Sequence, residues 1–245
     1  MKALITGMNG TVAPVVANYY KAMGYDVVAY DRSILSIHNY DEVYEFIKKT
    51  QPKVLLHLAL GPITWSQMLA KITKALNITL VYISSVSVYS NDQKGPFVVS
   101  DSPNPIDDYG LYKLNTEKAI LSIYPEAYIM RIGWQIGESA GSNNMVDFFQ
   151  KQMDTQGYID ASSRFFPSCS FIEDTAEAIF NVVSNHLPDT YLVNSNHKHS
   201  LFEIATYLKK WHPLFKIKET YDFTYDNRMF DVRVPIRKLD SIIPQ

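Results

Sequence analysis

The segment Met1-Lys2-Ala3-Leu4-Ile5-Thr6-Gly7-Met8-Asn9-Gly10-Thr11-Val12-Ala13 constrains the fold more than any other part of the chain. An apolar run of strand length ends at a glycine, a second glycine comes three residues later, and a helix-period segment opens directly behind it. Gly7 permits a tight turn out of the strand, and Gly10 lets a ligand approach the first helical turn. Unpaired amides and the helix dipole attract anions there. The sequence Gly7, Asn9, Gly10, Thr11, Val12 between strand and helix is that expected of a dinucleotide pyrophosphate site. Ala13 is small enough for the helix to pack closely on the strand.

The strand–helix unit then recurs along the chain. Strands are expected at Lys2–Thr6, Asp26–Tyr30, Val54–Leu58, Thr79–Ser84 and Ala127–Ile132. Helices are expected over Thr11–Met23, Asp41–Thr50, Trp65–Leu76 and Asp107–Tyr124. Short apolar strands separated by helices predict a parallel sheet covered on both faces, and right-handed crossovers make it doubly wound and Rossmann-like. Residues 1–133 are read as this core. Residues 134–245 are read as a mixed region that adds core elements and a small C-terminal substrate cap. That region is less regular, with helices over Asn144–Gln156, Glu173–His186 and Ser200–Trp211, and a short strand at Tyr191–Asn194. An exposed loop is expected at Asn91–Pro105, and Tyr221–Gln245 is an irregular aromatic tail. Ser200 and Glu203 form a capping box.

Composition narrows the partners. With a formal net charge of -2 the chain has no basic excess for nucleic acid or an anionic membrane. A single cysteine, Cys169, is incompatible with an intrachain disulfide framework or a cysteine zinc cluster. No metal site is expected: His197 and His199 lie two apart with no third ligand in sequence reach. The N-terminal apolar run is too short for a signal or a membrane span, which points to a cytoplasmic protein.

Asp31 closes the second strand where a carboxylate could accept the hydroxyls of an adenine ribose, which favours NAD. Arg32 beside it could meet a 2′-phosphate, which favours NADP. The two remain open. Tyr109 and Lys113 are four apart on a helix and share a face. A phenol titrates near pH 10, and a nearby ammonium is expected to lower that value toward proton transfer with a carbonyl oxygen. Tyr82-Ile83-Ser84-Ser85-Val86-Ser87-Val88-Tyr89 brings hydroxyls to the carboxyl edge of the sheet, so Ser85 is a candidate second donor to the same oxygen, with Ser87 nearby.

These pieces together resemble the extended short-chain dehydrogenase/reductases that act on nucleotide sugars, and within them the dTDP-4-dehydrorhamnose reductases as a group. The resemblance runs through Met1–Gly10, Asp31–Asn39, His57-Leu58-Ala59, Tyr82–Ser85, Tyr109-Gly110-Leu111-Tyr112-Lys113, Met130–Trp134 and Phe171–Ala176. It implies reduction of a 4-keto-6-deoxy sugar linked to a nucleotide, with Tyr109 as acid, Lys113 as its modulator and ribose ligand, and Ser85 on the sugar carbonyl. His57 and Ala59 would join the cofactor contacts, while the residues themselves read His57, at the end of a strand, first as a partly buried packing histidine. Helices of the 59–79 region form a homodimer face in such proteins, and here that segment is short. Where those reductases carry Thr-Asp this chain has Ser85-Val86. A nucleotide-binding regulatory protein that has lost turnover therefore stands as an alternative, as does a nucleotide-sugar epimerase. Arg131 and Arg164 are candidate clamps for a substrate pyrophosphate, Arg164 with Phe165 and Phe166 beside a nucleobase. Trp134 is read as packing.

Overall fold

The computed structural model describes residues 1–90 and 92–243; Asn91, which opens the expected loop, and the last two residues of the tail lie outside the described residues. A six-stranded sheet runs through the centre. Its strands are β1 (Lys2–Thr6), β2 (Asp26–Ala29), β3 (Val54–His57), β4 (Thr79–Ser85), β5 (Tyr128–Ile132) and β6 (Thr190–Val193). They lie in the order β6-β5-β4-β3-β1-β2, all parallel. The order reverses beside β1, where a doubly wound sheet opens a crevice at its carboxyl edge.

Alternation along each strand assigns the two layers. Ala3 and Ile5 face one side with Leu56, Val81 and Ile83, and there they meet α1 (Ala13–Ala22) and α6 (Ile172–Asn185). Leu4, Leu55, Leu80 and Tyr82 face the other side. They meet α2 (Tyr40–Thr50), α3 (Ile63–Ala75) and α4 (Asp108–Ile123). Strands buried on both faces need continuous apolar runs, as Val54-Leu55-Leu56 shows. A separate apolar cluster joins α5 (Met145–Gln156), α7 (Leu201–Leu208) and the strand Ile159–Ser162. Among the described residues no helix is long and apolar enough to cross a membrane.

Local chemistry sets the helix starts that matter for the site. Asp107 accepts a hydrogen bond from the Gly110 N–H at 2.7 Å and caps α4. The Ser200–Glu203 capping box is present at α7. The first helix begins at Ala13 rather than Thr11, because Thr11 and Val12 belong to the glycine turn and Pro14 occupies the first helical turn. Its N-cap, Val12, has no side-chain acceptor, so no side-chain cap competes for its first amides. The tail is more ordered than its sequence predicts. Tyr225–Asp226 pairs with Phe165–Phe166, and Met229–Phe230 pairs with Phe97–Val98, both in parallel.

Candidate active site

One cavity of about 1200 Å³ follows the carboxyl edge of the sheet. Its lining tracks the strand order. Asp31 and Arg32 line it beyond β2, Gly7 to Ala13 beyond β1, and Leu58 to Leu60 beyond β3. Ser84 to Ser87 line it beyond β4, and Ile132 to Gln135 beyond β5. Tyr109 and Lys113 face it from α4. Asn143, Phe165, Pro167, Ser168 and Asn227 close it from the C-terminal half.

The glycine turn has the shape that a phosphate cradle requires. Gly7 sits at φ 84° with the Ala59 amide beneath it, and a Cβ there would lie 2.9 Å from that nitrogen. The Gly10 N–H donates to the Gly7 carbonyl at 2.8 Å and tightens the loop. Thr6 holds the floor: its hydroxyl accepts from the N–H groups of Leu58 and Ala59 at 3.0 and 3.1 Å. The bare amides of α1 and this open loop fit a dinucleotide pyrophosphate, and Gly7, Asn9, Gly10, Thr11, Val12 and Ala59 would hold it.

At the β2 end the Asp31 carboxylate accepts from both the N–H and the hydroxyl of Ser33, at 2.8 and 2.6 Å, and these bonds hold it below the usual carboxylate range. Arg32 reaches across to the Leu60 carbonyl at 3.1 Å with its guanidinium 5.9 Å from the Trp65 ring centre. Both line the cavity, so both the ribose-hydroxyl and the phosphate contact are available there.

Ser85, Tyr109 and Lys113 come together at the middle of the cavity. Packing of α4 against the 3₁₀ turn Val86–Val88 places them, and Gly110 permits it, since a Cβ there would meet the Ser87 carbonyl at 2.0 Å. Tyr109 keeps 46% of its surface open, whereas Ser85 and Lys113 are buried. The Lys113 ammonium donates to the Ile83 carbonyl at 2.8 Å and lies 5.7 Å from the centre of the Tyr109 ring. Burial brings it down to about 8, with Glu117 opposing that shift. The expected lowering of the Tyr109 pKa is not what the site produces. Desolvation raises it, and only the Ser85 hydroxyl pulls the other way. The ammonium is held by a backbone carbonyl over the ring instead of at the phenolic oxygen. Tyr109 is thus a protonated donor at neutral pH.

A buried ionic network lies under this triad. Arg131 donates to both carboxylate oxygens of Glu117, at 3.1 and 2.7 Å, and to the Tyr89 hydroxyl at 2.8 Å. The Ser84 hydroxyl donates to the same carboxylate. Glu117 is one turn beyond Lys113 on α4, and Ser84 precedes Ser85, so the network ties the helix of Tyr109 and Lys113 to the strand of Ser85. It also corrects the reading of Arg131 as a pyrophosphate clamp: every guanidinium nitrogen is committed, and the side chain is buried.

Three further readings change. His57 does not reach the cavity. It is buried behind the β3 terminus, with Nδ1 2.9 Å from the Thr6 hydroxyl and Nε2 2.8 Å from that of Ser66, and burial followed by the Lys113 charge pushes it down to about 3. It is a neutral packing group supporting Thr6. Arg164 is exposed, 5.5 Å from the Tyr221 ring centre, and does not line the cavity, whereas its neighbour Phe165 does. Trp134, read as packing, lines the main cavity. With Phe165 it also lines a second cavity of about 400 Å³, enclosed by Phe148, Phe223, Asp160, Asp222 and Lys218. Ser87 lies on the cavity wall. Gln135, Asn143, Ser168 and Asn227 carry no sequence signal of their own.

A glycine turn opening onto bare helix amides and a tyrosine–lysine pair on one doubly wound sheet define a Rossmann-like α/β fold with a cleft at its switch point. Residues 63–214, more than half of the chain, match the model of the RmlD substrate binding domain, and the chain belongs to that family. It is 28% identical over 201 residues to the dTDP-4-dehydrorhamnose reductase of Mycolicibacterium smegmatis, a match that covers 74% of this chain and 60% of that protein. It is 23% identical over 236 residues to methionine adenosyltransferase 2 subunit beta of Xenopus laevis, covering 83% and 70%. The crystal structure of a dTDP-4-dehydrorhamnose reductase from Bacillus anthracis in complex with NADP superposes with a TM-score of 0.79 at 20% identity, covering 94% of this chain and 90% of that one, and shows the shared fold. The matches span about three fifths of the length of the Mycolicibacterium relative and 54% of an Aggregatibacter actinomycetemcomitans one.

Proposed function

We propose that this protein is an NAD(P)-dependent oxidoreductase that reduces a keto group of a nucleotide-linked deoxysugar, in the manner of a 4-keto-6-deoxy sugar reductase. The observation that carries the reading is the shared cavity: the Tyr109 phenol, the Ser85 hydroxyl and the Lys113 ammonium open into the same space as the bare amides of α1. The names of its relatives agree with it. Residues 1–133 would hold the cofactor, and 134–245 would complete the core and close over the sugar.

A bound nicotinamide would supply hydride to the carbonyl carbon. Ser85 and Tyr109 donate hydrogen bonds to the carbonyl oxygen, and Tyr109 passes its proton to that oxygen as negative charge grows on it. Lys113 uses one donor on Ile83 and keeps two for a cofactor ribose. The Glu117–Arg131 pair fixes α4 against β4 and β5 so that the three groups stay in register.

One observation favours a second reading, a nucleotide-binding regulatory protein of the same fold. Among the described residues, no arginine lines the substrate side of either cavity, and Lys218, Asp160 and Asp222 leave the second cavity with an acidic excess. A diphosphate would find a weaker clamp there, and several relatives bear the name of a subunit. Absorbance of NADPH and NADH on addition of a dTDP-linked 4-keto-6-deoxyhexose separates the two. The reductase reading expects oxidation of the coenzyme, and binding without turnover would transfer the assignment to the regulatory one. The reading also carries a cytoplasmic homodimer, with light scattering expected to give twice the 28.0 kDa of one chain.

A further inference from the structure

One peptide in the loop behind β3 is held from both sides. The Gly61 N–H donates to the Tyr112 hydroxyl at 3.2 Å, and that hydroxyl donates in turn to the Gly61 carbonyl at 2.9 Å. At the other edge of the same peptide, the Leu60 carbonyl accepts from Arg32 Nη1 at 3.1 Å. Arg32 and Leu60 line the main cavity, and Tyr112 stands behind them on α4. We propose that Tyr112 is a positioning residue for the coenzyme: through the Leu60–Gly61 peptide it aims Arg32 at a 2′-phosphate, and so sets the preference for NADPH over NADH. The inference rests on the coenzyme part of the proposed function.

The relay follows from the rigidity of the amide. The Leu60–Gly61 peptide is trans, so its N–H and its carbonyl point in opposite directions from one plane. Fixing the N–H on α4 therefore fixes where the carbonyl faces, and it faces Arg32. Without the phenol the plane is free to turn, because a glycine places little restriction on its own dihedrals. The buried Trp65 ring backs the loop. A Cβ on Gly61 would lie 2.7 Å from that ring, and the Arg32 guanidinium lies 5.9 Å from its centre. Tyr112 also sits directly before Lys113, so the loop that holds Arg32 is tied to the helix of Tyr109 and Lys113.

The anchor decides what Arg32 presents. An acceptor on Nη1 leaves the edge formed by Nε and Nη2, and among the described residues neither nitrogen has a protein partner. That edge is a fork that meets a phosphate with two parallel hydrogen bonds. Asp31 is the rival for it. Its carboxylate is engaged by Ser33 at 2.8 and 2.6 Å instead, and among the described residues it makes no ion pair with Arg32. A guanidinium released from Leu60 would be drawn to that carboxylate and lost to a phosphate. Arg32 is otherwise an exposed side chain, so holding it in place beforehand removes part of the ordering cost of binding. The adenine ribose of NADH carries a hydroxyl where NADPH carries the phosphate, and it gains nothing from this fork.

The test is a double-variant cycle on coenzyme affinity: wild type, Tyr112→Phe, Arg32→Ala and the pair together, each titrated with NADPH and with NADH by fluorescence. Tyr112→Phe keeps the ring and removes only a hydroxyl at a part-buried site, so the fold is expected to persist, and thermal melting checks that it does. NADPH binding should weaken roughly 3- to 10-fold in Tyr112→Phe, and NADH binding by less than about 2-fold. On the Arg32→Ala background the same substitution should change NADPH affinity by less than about 2-fold, because the group it aims is gone. A phenol that merely braced the loop would weaken both coenzymes alike, and its effect would persist without Arg32. Either of those results, or an unchanged NADPH affinity in Tyr112→Phe, would overturn the relay and leave the coenzyme site standing. A wild type that binds neither coenzyme would overturn the proposed function and the relay together. The predicted coupling without turnover of a dTDP-linked 4-keto-6-deoxyhexose would remove the reductase reading and leave the relay standing.

Discussion

Lys113 should be a residue that the fold would be more stable without. Its ammonium is buried beside Glu117, neutral His57 and the rings of Tyr82 and Tyr109, at 5.0 and 5.7 Å from the ring centres. Its pKa falls from 10.5 to about 8, and desolvation is the leading cause. The unfolded chain therefore holds this proton more tightly than the native one. Between pH 8 and 10.5 the unfolded state binds more protons, so stability rises with pH across that window and the penalty is complete below it. About 2.5 pKa units correspond to a penalty of about 3 kcal/mol at pH 7. Lys113→Met removes the charge and keeps the apolar stem, at the cost of the hydrogen bond to Ile83, which offsets about 1 kcal/mol. A net gain of about 1–2 kcal/mol raises the melting temperature of a chain this size by about 3–6 °C. By pH 9.5 the wild-type penalty has shrunk to about 1 kcal/mol, and the gain should disappear. Thermal unfolding tracked by circular dichroism at pH 7 and 9.5 checks this, with loss of turnover alongside. A variant that melts below wild type at pH 7, or the same difference at both pH values, would refute the reasoning.

The same geometry predicts three more outcomes. Glu117→Ala leaves the Arg131 charge and the Ser84 hydroxyl buried without their acceptor and should cost about 3–5 kcal/mol in urea unfolding, much of it recovered in a Glu117→Gln/Arg131→Met double variant; a loss under about 1 kcal/mol contradicts the network. Gly7→Ala forces a side chain into positive φ and against the Ala59 amide, so it should lose about 1–3 kcal/mol of stability and weaken NADPH binding at least roughly 10-fold by fluorescence titration. Arg32→Ala should weaken NADPH about 10-fold by calorimetry and leave NADH unchanged; an unchanged NADPH affinity removes Arg32 from the phosphate contact.

Much of the fold was legible because its signals are local. A strand, a glycine and a helix are contiguous at Gly7, and Tyr109 and Lys113 share a helix face whatever surrounds them. The misread residues are those whose role is set by distant partners. Arg131 looks like a free cation until Glu117, on a helix 14 residues earlier, closes on it. His57 ends a strand at the ligand edge, yet Thr6 and Ser66 hold it inside. The substrate wall was least legible. Trp134 and Gln135 arrive on a ribbon of three residues, Ser168 and Asn227 lie directly beside ribbons of two or three, all paired in parallel across the C-terminal half, and strands so short carry no periodicity. The Tyr109 pKa was misjudged because helical spacing brings the ammonium near the ring without deciding which atom it faces.

The central claim is that Tyr109 delivers the proton to a sugar carbonyl as hydride arrives at its carbon. Single-turnover reduction of a dTDP-linked 4-keto-6-deoxyhexose by deuterated NADPH, in wild type and Tyr109→Phe, tests it most directly. The account predicts deuterium at the former carbonyl carbon with wild type, and a rate at least roughly 100-fold lower in the variant with NADPH affinity intact. Deuterium transfer at an unchanged rate without the phenol would contradict it.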